Sequence, residues 1–137
     1  MAGYSGTPLP KKLGIEPGTR LALVGAPRGY LALLGPLPAG ARRLSCTADD
    51  LDLIHLFTRE AADLQRRLRA LLPKIAADGM IWVSWPKKAS KVPTDITEDT
   101  VRRLALPLGL VDVKVCAVDE VWSGLKLVIR KENRGAR

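Results

Sequence analysis

The sequence predicts an α/β domain: a small, mostly parallel sheet with helices on both faces and an antiparallel C-terminal hairpin. Three observations carry this. Short, near-continuous apolar runs at residues 21–24, 51–57 and 80–85 read as strands buried on both faces. Between them lie stretches whose apolar residues recur at helical spacing. Near the C-terminus "LVDVKVCAV" and "LKLVIRK" are joined by the short "DEVWSG", the pattern of a hairpin.

Residues 1–12, "MAGYSGTPLPKK", are rich in Gly, Pro and Ser and read as an irregular leader. Residues 13–131 form one domain, and residues 132–137 a basic tail. "GIEPGT" turns into the first strand, "RLALV", which Gly25 and Pro27 close. "RGYLALLGPL" is a short helix stopped by Gly35 and Pro36. "ARRLSC" is a second short strand, and "LDLIHLF" a third. Thr58 is placed to cap the next helix, along which Leu64, Leu68, Leu71, Leu72 and Ile75 recur. Pro73 tightens its last turn, and Gly79 is expected to end it. After "MIWVSW", Asp95 or Thr97 caps a helix running to about Leu106. Asp95 and Glu98 have the spacing of a capping box. In the hairpin, Val111, Val113 and Val115 are expected on one face, with Asp112, Lys114 and Cys116 on the other.

Composition bounds the chemistry. Lys+Arg 22 against Asp+Glu 14 gives a net charge of +8, which favours anionic ligands or partners. Aromatic residues make up only 4%, a poor supply for a base-stacking platform. No apolar run approaches a membrane span, and the N-terminus shows no apolar signal core, so a cytoplasmic location is expected. Cys46 and Cys116 lie far apart beside a single histidine, which suits free thiols and excludes a zinc set.

The element order makes a compact Rossmann-like architecture. Its second half, with "LLPKIAADG", "MIWVSW", a further helix and a closing hairpin, resembles the C-terminal half of class I S-adenosylmethionine-dependent methyltransferases. More specifically, "KLGIEPGTRLALVGAP", "WPKKASKVPTDITEDTVR" and "GLVDVKVCAVDEVWSGLKLVIRKENR" resemble the bacterial Domain of Unknown Function 3052 family, over nearly the whole chain. That resemblance implies the fold and assigns no activity. The methyltransferase resemblance implies a cofactor loop after the first strand, and here the chain departs from it. In place of Gly-x-Gly-x-Gly stands "GAPRG", and Pro27 removes a backbone donor. Where a ribose-binding carboxylate is implied, Ser45-Cys46-Thr47 follows the second strand, with Asp49 or Asp50 as substitutes.

Candidate binding residues follow from where open α/β sheets place ligands, beyond the carboxyl ends of their strands. Trp85, Lys87, Lys88, Ser90, Lys91 and Thr94 follow the "MIWVSW" strand, and their ammonium and hydroxyl groups suit a phosphate or carboxylate. Gly25, Arg28 and Gly29 belong on the same rim, Arg28 adding to an anion site with Lys87. Asp119, Trp122 and Ser123 form the hairpin connection, where the acidic pair Asp119 and Glu120 would suit acid–base work. His55 reads as a core residue without a nucleophile beside it. The arginines of "REAADLQRRLRALLPK" suit weak, salt-sensitive contact with nucleic acid. Apolar strand edges leave room for a homodimer.

With no intact cofactor loop, nucleophile–base pair or metal set, the sequence points to a non-catalytic binding or regulatory module without a cofactor. Its expected ligand is a small anion or an acidic protein partner. The alternatives are a divergent nucleotide- or S-adenosylmethionine-dependent transferase and a weak, non-specific nucleic-acid binder.

Overall fold

A computed structural model describes residues 7–135. In chain order it contains α1 (Leu9–Leu13), β1 (Arg20–Val24), α2 (Tyr30–Leu34), β2 (Arg42–Leu44), β3 (Leu51–Phe57) and α3 (Ala61–Leu71). There follow β4 (Ile75–Pro86), α4 (Glu98–Ala105), β5 (Leu110–Ala117), β6 (Trp122–Ile129) and α5 (Lys131–Arg134). The six strands form one sheet in the order β2-β1-β3-β4-β6-β5. The first four are parallel, and β6 is antiparallel to both β4 and β5. This is the predicted Rossmann-like sheet with its antiparallel hairpin.

Alternation along the strands divides the interior into two cores. Ala22, Val24, Ile54, Leu56, Ile81, Val83 and Trp85 face α3 and α4, which contribute Leu64, Leu68, Leu71, Val101 and Ala105. Leu21, Leu53, Phe57 and Trp82 face the other way, against Leu9 and Leu13 of α1 and Tyr30 and Leu34 of α2. Both faces are covered, as near-continuous apolar strands require.

Four local expectations change. Residues 9–13 of the expected leader form α1, because Leu9 and Leu13 lie one turn apart and are both buried; residues 1–6 lie outside the described part. Helix α3 ends at Leu71, and Pro73 converts its end into a 3₁₀ turn, residues 72–74. Gly79 does not terminate that helix. It sits in a bulge of β4, where a Cβ would stand 2.8 Å from the Leu51 carbonyl oxygen. In β5 the register shifts between Asp112 and Lys114, so Asp112 lies opposite Leu127 and Lys114 opposite Lys126. The bulge therefore puts Asp112 on the α4 face, bonded to Arg102 Nε at 2.9 Å, and Lys114 on the other. It also leaves Val113 and Val115 exposed on an edge strand.

The fourth change concerns capping. Thr97, not Asp95, caps α4: its side chain accepts from Thr100 N, and the Thr100 side chain accepts from Thr97 N. Asp95 instead accepts from Ala61 N at 2.7 Å, at the start of α3. Thr58 is not the α3 cap either, since its hydroxyl donates to Asp63 Oδ2 at 2.7 Å. Replacing Thr97 with alanine is expected to lower stability by about 1 kcal/mol. Urea unfolding of that variant measures it, and Asp95→Ala should instead expose the α3 amino end to hydrogen exchange.

Candidate functional site

The carboxyl ends of β1, β2, β3 and β4 share one rim of the sheet. Because β6 runs antiparallel to β4, Pro86 lies opposite Trp122 and the hairpin connection joins the same rim. The candidates of the β1 loop, the β4 loop and the hairpin connection therefore lie at one edge of the molecule. They do not all converge.

Six of them line one cavity. Trp85, Lys87, Lys88, Lys91, Thr94 and Ser123 surround a space of about 580 Å³, together with Pro86, Val92, Pro93, Ile96, Thr97 and Glu98. Trp85 and Ile96 are buried and supply its apolar part. The loop is tied down by its own backbone and hydroxyls. Lys87 N donates to Val121 O at 2.7 Å, and Thr94 Oγ1 donates to Arg59 O at 2.6 Å. Ser90 is absent from the lining. Its hydroxyl donates to Lys87 O at 2.6 Å and accepts from Val92 N, so it closes the turn.

The acids near this cavity are occupied. Glu98 and Asp99 both pair with Arg102, and Asp95 holds α3. Lys87, Lys88 and Lys91 have no acidic partner among the described residues. A net positive lining results, since Glu98 is its one carboxylate and pairs with Arg102.

The β1 loop is separate. Gly25, Arg28 and Gly29 are exposed but line none of the cavity around Lys87, since β3 lies between β1 and β4. That is two strand spacings, about 10 Å. Arg28 and Lys87 are therefore not parts of one cavity. The two glycines differ. A Cβ on Gly25 would stand 2.7 Å from Phe57 O, so its small size serves the packing of β1 against β3. At Gly29, with φ +84°, an added Cβ would meet nothing within 4 Å and would face open space. A second cavity of about 570 Å³, lined by Arg59, Glu60, Pro93, Thr94 and Asp95, shares Pro93 and Thr94 with the first.

In the hairpin connection Asp119 is a structural acid. Its Oδ1 accepts from Val121 N and Trp122 N, both at 2.8 Å. Trp122 packs edge-on against Phe57, with ring centroids 5.1 Å apart. Only Ser123 of that trio reaches the cavity.

His55 has partners that sequence reasoning missed. Its Nδ1 lies 2.7 Å from Tyr30 Oη, and its Nε2 lies 2.7 Å from Ser84 Oγ. Burial pushes the imidazole down to about 3. Burial first, and then Cys116, pushes the Tyr30 phenol above its ordinary range. Ser84 is fully buried, so the pair cannot meet a substrate and His55 is a satisfied core residue. Spacing could not reveal the contact, because β1–α2, β3 and β4 meet only in the folded sheet.

An adenosyl cofactor can be tested against this rim. Open space at Gly29 and the exposed Arg28 fit a ligand lying along the β1 loop. Ser45 Oγ and Thr47 Oγ1, 2.8 Å apart beyond β2, supply hydroxyls where the methyltransferase resemblance implies a carboxylate. Asp49 and Asp50 do not substitute. Their carbonyls accept from Arg20, at the amino end of β1 on the opposite side of the sheet. The rim thus fits the cofactor through backbone, hydroxyl and guanidinium groups, without an acid.

No protein-family model matches the chain, and no curated protein sequence does. Solved structures do. An S-adenosylmethionine-dependent methyltransferase from Aquifex aeolicus is similar with a TM-score of 0.66 at 14% identity, covering 87% of each chain. The ribosomal protein L11 methylase of Lactobacillus delbrueckii subsp. bulgaricus gives 0.57 at 14% identity, over 88% of this chain and 74% of that one. Aeropyrum pernix fibrillarin, with natively bound S-adenosyl-L-methionine, gives 0.56 at 12% identity, over 83% and 68%. These neighbours correct the sequence reading. The expectation of a non-catalytic module is overturned in favour of the transferase alternative, because structures sharing this fold include an S-adenosylmethionine-dependent methyltransferase and a ribosomal protein methylase. Among the described residues, no helix is long and apolar enough to cross a membrane, and no cluster of side chains could hold a metal ion. The chain has the fold of the class I S-adenosylmethionine-dependent methyltransferases.

Proposed function

We propose that the protein is a divergent S-adenosylmethionine-dependent transferase. The observation that supports this most is a methyltransferase-like sheet whose carboxyl rim carries both an open β1 loop and a separate cationic cavity. Arg28, the backbone at Gly29 and the hydroxyls of Ser45 and Thr47 are the groups that would hold the cofactor. When bound, the cofactor supplies an electrophilic methyl group. The chain's own part is to hold that ligand at the β1–β2 side of the rim and an acceptor at the β4 side. The finer likeness to the Domain of Unknown Function 3052 family belongs to this proposal and adds no chemistry.

A thermal-shift titration with S-adenosylmethionine and S-adenosylhomocysteine tests it. A ligand at one hundred times its dissociation constant adds about 2.7 kcal/mol, several degrees for a domain of this size. The shift is expected to vanish in Arg28→Glu with Ser45→Ala. Gly25 is a poor choice for this test, since any side chain there strikes Phe57 O and lowers stability by itself. No saturable shift with either compound would sink the transferase reading.

A further inference from the structure

We propose that the cavity between the β4 loop and α4 binds a small anion carrying a flat apolar body, an aryl phosphate or a close analogue. The inference rests on the transferase reading only in naming that anion the acceptor. Its size is right for one small molecule, about 580 Å³ within the usual range for such sites. Its chemistry is divided in the way such a ligand requires. Trp85 and Ile96 are buried, and with Val92 and Pro93 they line an apolar part.

The cations sit on the loop above it. Lys88 opens a 3₁₀ turn and Lys91 caps its end, and both line the cavity. Lys87 is half-buried and belongs to the same lining. The one carboxylate in the lining, Glu98, is bonded to Arg102 and leaves the lysines free to pair with a ligand. A cationic ligand would meet three ammonium groups, and a neutral one would leave them unused. An inorganic anion would leave the apolar part unfilled.

The loop is also held in shape before any ligand arrives. Ser90 and Thr94 spend their hydroxyls on backbone groups, and Lys91 is held at φ +62°. A preformed loop loses less freedom on binding, which favours a small ligand.

Isothermal titration with phenyl phosphate, inorganic phosphate and phenol tests the inference on the full chain. Phenyl phosphate is expected to bind more tightly than either fragment and to change tryptophan fluorescence through Trp85. Its affinity should fall with added salt. Replacing Lys87, Lys88 and Lys91 together with alanine should weaken it by about tenfold or more, whereas the triple arginine variant should retain binding. Phenyl phosphate binding no better than inorganic phosphate, or equally well to the alanine variant, would overturn the proposal. So would binding of poly-glutamate in preference to phenyl phosphate, the behaviour of a docking face for an acidic protein. Phenyl phosphate binding without any S-adenosylmethionine shift would keep the cavity and remove the transferase; the reverse result would do the opposite.

Discussion

Replacing Trp82 with alanine is expected to lower stability by about 3–5 kcal/mol, among the largest effects of any single change in this chain. The indole is fully buried at the centre of β4 and lies against Gly124 of β6, where a Cβ would come within 3.2 Å of the ring. Its Nε1–H donates to Leu13 O at 2.8 Å, so the same side chain fills the second core and ties down α1. Alanine loses the packing and leaves a buried carbonyl without its donor. Trp82→Phe separates the two losses, keeping most of the volume and removing only the hydrogen bond, for about 1–2 kcal/mol. Urea unfolding measures the totals. Trypsin cleavage at Lys11 reports on α1, and it should accelerate in Trp82→Phe before global stability falls far. Unchanged cleavage in that variant would mean that Leu9 and Leu13 alone hold the helix.

The order of strands and helices was legible because each depends on local periodicity. Residues 51–57 and 80–85 are apolar on both faces and became central strands. What failed depended on groups distant in sequence or on a single backbone irregularity. Alternation read straight through Val113 missed the bulge that sends Asp112 to Arg102 and Lys114 the other way. Asp95 has good capping spacing for α4, yet it is drawn to the free amide of Ala61, 34 residues away.

The site was legible to the same degree. Sequence position placed the loop candidates after β1 and β4 at the carboxyl rim, where the structure has them, since a strand's carboxyl end is set by chain direction. It could not say which polar groups the fold would consume. Ser90, Thr94 and Asp119 are bonded to backbone, while Lys87, Lys88 and Lys91 remain without acidic partners among the described residues. Nor could it separate Gly25, which makes room for β3, from Gly29, which faces open space. Both are glycines in one loop, and only the neighbouring strand distinguishes them.

Stability is expected to fall steeply as the pH drops from about 6.5 toward 3, through the buried histidine. His55 titrates near 3 in the folded protein because burial penalises its charged form, against 6.5 ordinarily. Between those values the unfolded chain binds a proton that the folded protein refuses. The contribution to stability is therefore complete above pH 6.5, declines by up to about 1.4 kcal/mol per pH unit, and is gone near pH 3. The whole span is on the order of 4–5 kcal/mol, comparable with the stability of a small domain. Neutral imidazole has one donor and one acceptor nitrogen, which serve Tyr30 and Ser84 together in either tautomer. Protonation would turn both nitrogens into donors inside a sealed core. Asp63 also titrates below its usual range, its Thr58 and arginine contacts outweighing the upward push of burial, and it adds a loss at lower pH. His55→Gln isolates the histidine, since Asp63 is unchanged in it. The variant should be less stable at pH 7 by about 1–3 kcal/mol, because an amide serves Tyr30 and Ser84 less well. Its unfolding free energy should then vary far less between pH 6.5 and 4 than that of the parent. Parallel profiles for the two proteins would show that the imidazole already accepts its proton in the folded core.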